Sequence, residues 1–129
     1  MSNELKITSQ KKLKTINKEF QEKFPYLMVQ FFTDEEAQKA KRGEKIIPLS
    51  LEKRLSEVKE KDTDEEISIH GNTKVKTLEE KFHKAYGINI QVCYANEKGR
   101  YYTTGEVDEM TLSKLNSLLE KKGYMKNPK

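Results

Sequence analysis

Several things are scarce in this sequence, and each scarcity narrows what the chain can be. There is a single cysteine, Cys93, so no disulfide can close within the chain. The expectation is a protein of a reducing compartment, hence cytoplasmic. No apolar run approaches the roughly 20 residues needed to cross a bilayer. The opening MSNELKITSQKK lacks the apolar core of a signal peptide, so no membrane or secretory role is expected. There is no glycine-rich phosphate loop, no nucleophile elbow and no pair of metal ligands at a recognised spacing. The expectation is therefore a chain that is not an enzyme and that uses neither cofactor nor metal.

What is present is enough to fold. Hydrophobic residues make up 34% of the 129, including six tyrosines and five phenylalanines, too many for a disordered chain. Charged residues reach 36%, as expected of solvated helix faces and loops. The net charge is +4, from 25 basic and 21 acidic residues. Lys121, Lys122, Lys126 and Lys129 fall in the last nine residues, which contain no acid. The basic excess is thus largely a feature of the tail, which weakens the case for a dedicated basic groove.

The chain resembles itself. KKLKTINKEFQEKF (11–24) and TKVKTLEEKFHKAY (73–86) share lysines at 12/74 and 14/76, threonines at 15/77 and apolar residues at 13/75, 16/78, 20/82 and 24/86. After one extra residue in the first copy, Leu27–Phe31 falls on Ile88–Val92, and further on Leu51 falls on Leu112. Two amphipathic helices can look alike by chance, but chance does not reproduce the strand that follows at nearly the same distance. The segment Lys59–Glu66 holds no apolar residue and reads as a solvated linker. The expected organisation is a first unit over 1–58, a linker over 59–66, a second unit over 67–123 and a basic tail over 124–129.

Each unit reads as β-α-β-β-α. Leu5 and Ile7, like Ile67 and Ile69, alternate as short strands. Thr15 and Thr77 suit helix N-caps, the latter with a capping box to Glu80. Ile16, Phe20 and Phe24, and Leu78, Phe82 and Tyr86, form apolar stripes. Pro25 and Gly87 end the two helices. Ile88, Ile90, Val92 and Tyr94 alternate with polar residues, which marks a half-buried strand. Asn96–Gly99 reads as a hairpin turn, with the return strand over Arg100–Thr104. The first unit differs here, with a short helix over Thr33–Gly43 and a brief strand around Lys45–Ile47. Closing helices follow, carrying Leu51, Leu55 and Val58, then Leu112, Leu115, Leu118 and Leu119. The fold expected is α+β: a tandem repeat of two β-α-β-β-α units, helices packed on one face of a small mixed sheet.

Residues that could carry function are few. His83 falls on the exposed side of its helix and reads as a surface residue. His70, beside Gly71 and Asn72 in a turn, has no second ligand for zinc and reads as a turn residue. Cys93 could be a nucleophile only with a histidine nearby, and a small apolar filler explains it more simply. The acidic runs at 34–36 and 62–66 read as helix capping and linker. Two surfaces remain. The outward face of the second strands, with Met28, Gln30, Phe32, Gln91, Tyr101 and Tyr102, could anchor a protein partner or a second copy. Cover of that face by the other copy within the molecule is the competing account, and it comes first. The lysines that open the first helices, Lys11, Lys12, Lys14 and Lys18 with Lys74 and Lys76, could hold phosphates of a nucleic acid, or be merely solvated. A small interaction protein, binding through a sheet face or edge, is the leading expectation, with nucleic-acid binding as the alternative.

Overall fold

The computed structural model describes residues 5–63 and 65–128. Two of its three strand pairings run from one half of the chain to the other. Strand β1 (Leu5–Ile7) pairs with β3 (Ile67–Ile69) in an antiparallel two-stranded sheet, with Lys6 opposite Ser68. Strand β2 (Met28–Phe32) pairs with β4 (Asn89–Asn96), and β4 with β5 (Gly99–Tyr102), giving a second antiparallel sheet in the order β2-β4-β5. Gln30 lies opposite Gln91 at the centre of the β2–β4 ladder. The fold is thus mixed α+β, with five α-helices and two small antiparallel sheets among the described residues. The mixed sheet expected for each unit does not form. β1 and β2, each separated from the next strand by a helix, find their partners in the other half, while β4 and β5 pair as a hairpin within the second half.

The amphipathic stripes fill the space between these sheets. Helix α1 (Leu13–Lys23) buries Leu13, Ile16 and Phe20, and helix α4 (Val75–Tyr86) buries Val75, Leu78, Phe82 and Tyr86. They meet the inner sides of the long strands, Val29 and Phe31 from β2 with Ile90 and Val92 from β4. The Phe82 ring lies 5.6 Å from Phe31 and 5.0 Å from Tyr86, so aromatic contacts cross from one half to the other. Short helix α2 (Asp34–Lys41) starts at Thr33, whose hydroxyl accepts the Glu36 amide, and stops before Gly43 at φ +76°.

Three expectations about local structure need correcting. The long helices are capped at Lys12 and Lys74, not at Thr15 and Thr77. Their first amides donate to backbone carbonyls far along the chain: Leu13 to Lys53, Lys14 to Leu51, Val75 to Met110 and Lys76 to Asp108. A cap supplied by a distant segment leaves no mark at the helix start itself. The closing helices α3 (Leu55–Val58) and α5 (Leu112–Lys121) begin at leucines that make matching bonds, Leu55 to Lys11 and Leu112 to Thr73. Leu55, rather than Leu51, is therefore the counterpart of Leu112. Finally, Lys45–Ile47 is not a strand. The segment 42–49 runs as a strap held by the Ile47 amide on Glu36 and the Leu49 amide on the Phe31 carbonyl, 2.7 Å away.

Linker and tail are both docked. The Tyr86 hydroxyl donates to the Glu65 carbonyl at 2.5 Å, and the Glu60 amide to the Tyr86 carbonyl at 2.8 Å. The Met125 amide bonds to Ala95 and the Asn127 amide to Pro25, so residues 124–128 tie the second half to the first. Asp64 of the linker and Lys129 of the tail lie outside the described residues. Among the described residues no helix is long and apolar enough to cross a membrane.

Candidate functional site

Strand alternation sorts the six suspected partner-binding residues into two groups. Val29 and Phe31 point into the core, so Met28, Gln30 and Phe32 project from the other face of the sheet. The register sets Gln91 beside Gln30, Cys93 beside Met28, and Tyr102 beside Cys93, all on that outer face. Tyr101 lies on the inner side instead, stacked on Tyr94 with centroids 5.5 Å apart. The outer face is largely covered by α2 and the strap. Met28 and Phe32 are each 3% exposed and Gln30 is 7% exposed, so the second strand of the first half is buried on both sides. The covering therefore comes from the first half's own insert, and not from the other half's sheet. Tyr102 remains 43% exposed, its ring edge-on to Phe32 at 6.0 Å.

Two hollows flank the strap. One, of about 360 Å³, lies between α2 and Tyr102, with Phe32, Ala40, Ile46, Glu79 and Gln91 among its walls. The other, of about 310 Å³, is lined by Asn17, Met28, Gln30, Leu49 and Pro128. The same kind of contact stands beside each. Asn17 accepts the Val29 amide at 2.9 Å, and the Glu79 carboxylate accepts a backbone hydrogen bond from Val92. Gln91 donates from Nε2 to the Thr103 hydroxyl at 2.9 Å, whereas Gln30 Oε1 is buried with no hydrogen-bond partner.

Glu79 is the residue that reading the sequence missed. Its Oε2 is buried with no hydrogen-bond partner. Burial, and then the charge of Asp108, push its carboxyl up to about 7; the Val92 hydrogen bond acts the other way and Glu80 adds a small rise. The signal was available, since Glu79 is four residues after Val75 and three before Phe82, at the border of the apolar stripe.

The other candidates have structural partners. Cys93 is fully buried, and desolvation raises its thiol to about 12, the reverse of what a nucleophile needs. His83 Nε2 lies 2.9 Å from Asp34 Oδ1, which Asn89 also holds at 2.7 Å. The His70 amide donates to Thr73 Oγ1 in its turn. Of the suspected phosphate-contacting lysines, Lys11 meets Glu19 at 2.6 Å, Lys14 meets Glu52 at 3.1 Å, and Lys74 and Lys76 share Glu109, Lys74 at 2.9 Å. Lys12 caps α1 from extended backbone. The helix-terminal amides that would join them are already bound to carbonyls. Among the described residues no group of three His, Cys, Asp or Glu side chains could hold a metal ion.

Comparison of the chain with protein-family models, with curated proteins and with solved structures gives no significant match.

Proposed function

We propose that this chain is a non-enzymatic interaction protein, built from two copies of one α/β unit, that binds an extended segment of a protein partner or of a second copy along the edge of its three-stranded sheet. The observation that carries this reading is β5. It is the edge strand of the sheet, all four of its residues are exposed, and Tyr101 and Tyr102 are 39% and 43% exposed. Edge strands are ordinarily protected by proline, lysine, a bulge or a covering element. Gly99–Tyr102 carries one charged residue, Arg100, but contains neither proline nor lysine and pairs without a bulge. Main-chain hydrogen bonds along such an edge supply affinity, while the flanking tyrosines supply contact area.

The duplication is supported by the pairing of like with like. Leu5 to Ile7 lies antiparallel to Ile67 to Ile69, Gln30 faces Gln91, and Lys12 and Lys74 each form an isolated bridge, to Arg54 and Thr111. An antiparallel arrangement of two equivalent units is what internal twofold packing produces. Phosphate binding through the paired lysines has less support, because carboxylates of the same chain already engage Lys11, Lys14, Lys74 and Lys76.

Size-exclusion chromatography with light scattering, together with retention of partners from lysate, tests the edge reading. Self-association or a retained partner is expected, and Tyr102→Pro should abolish it. The Thr103 amide bonds to Val92, so alternation turns the Tyr102 amide away from β4, and proline there blocks the edge with the ladder kept. Tyr102→Lys serves as a second block if the proline variant loses its fold. A strict monomer that retains nothing, or binding that survives both substitutions, refutes it.

A further inference from the structure

We propose that the hollow between α2 and Tyr102 is a receptor for a small organic cation, a primary ammonium or guanidinium group on a short apolar stem, held by the carboxylate of Glu79. This site shares Tyr102 with the strand edge but does not depend on a partner binding there. The scaffold needs only a hydrogen-bond acceptor at this place, to satisfy a strand amide. On the other side of the strap a neutral amide, Asn17, does that job for Val29. At Glu79 the Val92 amide supplies a hydrogen bond, and Oε2 is left buried with nothing to bond. An ionised oxygen without a partner in a partly desolvated place is costly, and a bound cation relieves that cost. The chemistry of the walls points the same way. Phe32, Ala40 and Ile46 offer apolar surface for a stem, and the exposed ring of Tyr102 stands at the mouth, where a cation can lie over its face. A volume of about 360 Å³ is in the range of small-molecule sites.

The charges around the carboxylate favour a cation and disfavour an anion. Asp108 and Glu80 both act on Glu79 with negative charge. The basic group among the walls is Lys41, on the exposed end of α2. Tyr102 at the hollow and Cys93 beside it are the other titratable groups here; desolvation holds both protonated beyond their ordinary ranges, against the opposing charge of Arg100. Between weakly acidic and weakly basic pH, Glu79 is therefore the group that changes charge, and it gains its negative charge as pH rises.

The test is a titration of the whole chain with n-butylammonium chloride, with 1-butanol as the uncharged control, followed by amide and side-chain NMR shifts of Gln91, Glu79 and Tyr102. Saturable shifts are expected with the amine and none with the alcohol. Affinity should fall at least tenfold in Glu79→Gln and be weaker at pH 5.5 than at pH 8. Glu79→Asp, which keeps the charge, should retain part of the binding, and Lys41→Ala should bind at least as well as the native chain. Because Asn17 already shows a neutral amide in the matching role, Glu79→Gln should keep the fold, and circular dichroism checks this. Equal shifts with amine and alcohol overturn the proposal, as does undiminished binding by Glu79→Gln. So does saturation that appears only in Lys41→Ala, which would make Lys41 the resident cation.

Discussion

Replacing Glu79 by glutamine should stabilise the protein, and by an amount that depends on pH. Burial and Asp108 raise this carboxyl from its ordinary 4.5 to about 7, so the folded chain holds the proton more tightly than the unfolded chain does. Under linkage the state that binds more protons loses ground as pH rises. The contribution of the protonated group is thus complete below about 4.5 and is lost as pH climbs through about 7. At about 1.4 kcal/mol per pH unit the full effect would be about 3 kcal/mol. The carboxyl is only partly buried, so solvent screening reduces this to about 1–2 kcal/mol. Glutamine keeps the acceptor for the Val92 amide and never ionises. Urea melts of both proteins between pH 5 and 8.5 should show nearly equal stability at the acid end. The variant should lead by about 1–2 kcal/mol at the alkaline end, equivalent to a melting-temperature difference of about 5 °C in a chain of this size. A constant difference across the range, or a native protein that gains on the variant as pH rises, would refute the reasoning.

Three further outcomes follow from the packing. Cys93, fully buried with its thiol raised to about 12, should resist alkylation at pH 8 in the native protein and react fully in denaturant; rapid native labelling would contradict its placement. Tyr86→Phe should cost about 1–2 kcal/mol in a denaturant melt and loosen the linker to proteolysis, because the hydroxyl bonds the carbonyls of Glu65 and Ile7. Gly87→Ala should cost about 1–2 kcal/mol, since the residue sits at φ +76° and a β-carbon would lie 3.2 Å from Cβ of Glu60. A neutral Gly87→Ala would mean that the helix end is not in the left-handed conformation.

The apolar periodicity of α1 and α4, the alternation in β4 and the cap and glycine around α2 were all readable, because each depends on residues a few positions apart. Glu79 was legible only as a border position of a helix stripe; that one oxygen has no partner depends on Val92 and Asp108, which lie far away in the chain. The outer-face residues were recognised as a group from alternation. Their burial was not, because α2 and the strap cover them through contacts that leave no periodic trace. Tyr101 and Tyr102 could not be divided between faces until the register with β4 was fixed, since a shift of one residue exchanges the two sides.

The sequence by itself determined where α1, α4 and α5 and the strands β1 to β4 would form, and which side of each would seek the core. Those are local matters of propensity, period and apolar surface. Only the tertiary structure decided that β1 and β2 would pair with β3 and β4 across the halves, that distant carbonyls would cap the long helices, and that an insert would roof one sheet face while leaving β5 open. Each of these is a choice among partners far apart in the chain. It is settled by satisfying backbone hydrogen bonds and burying both faces at once, conditions that no short stretch of residues expresses alone.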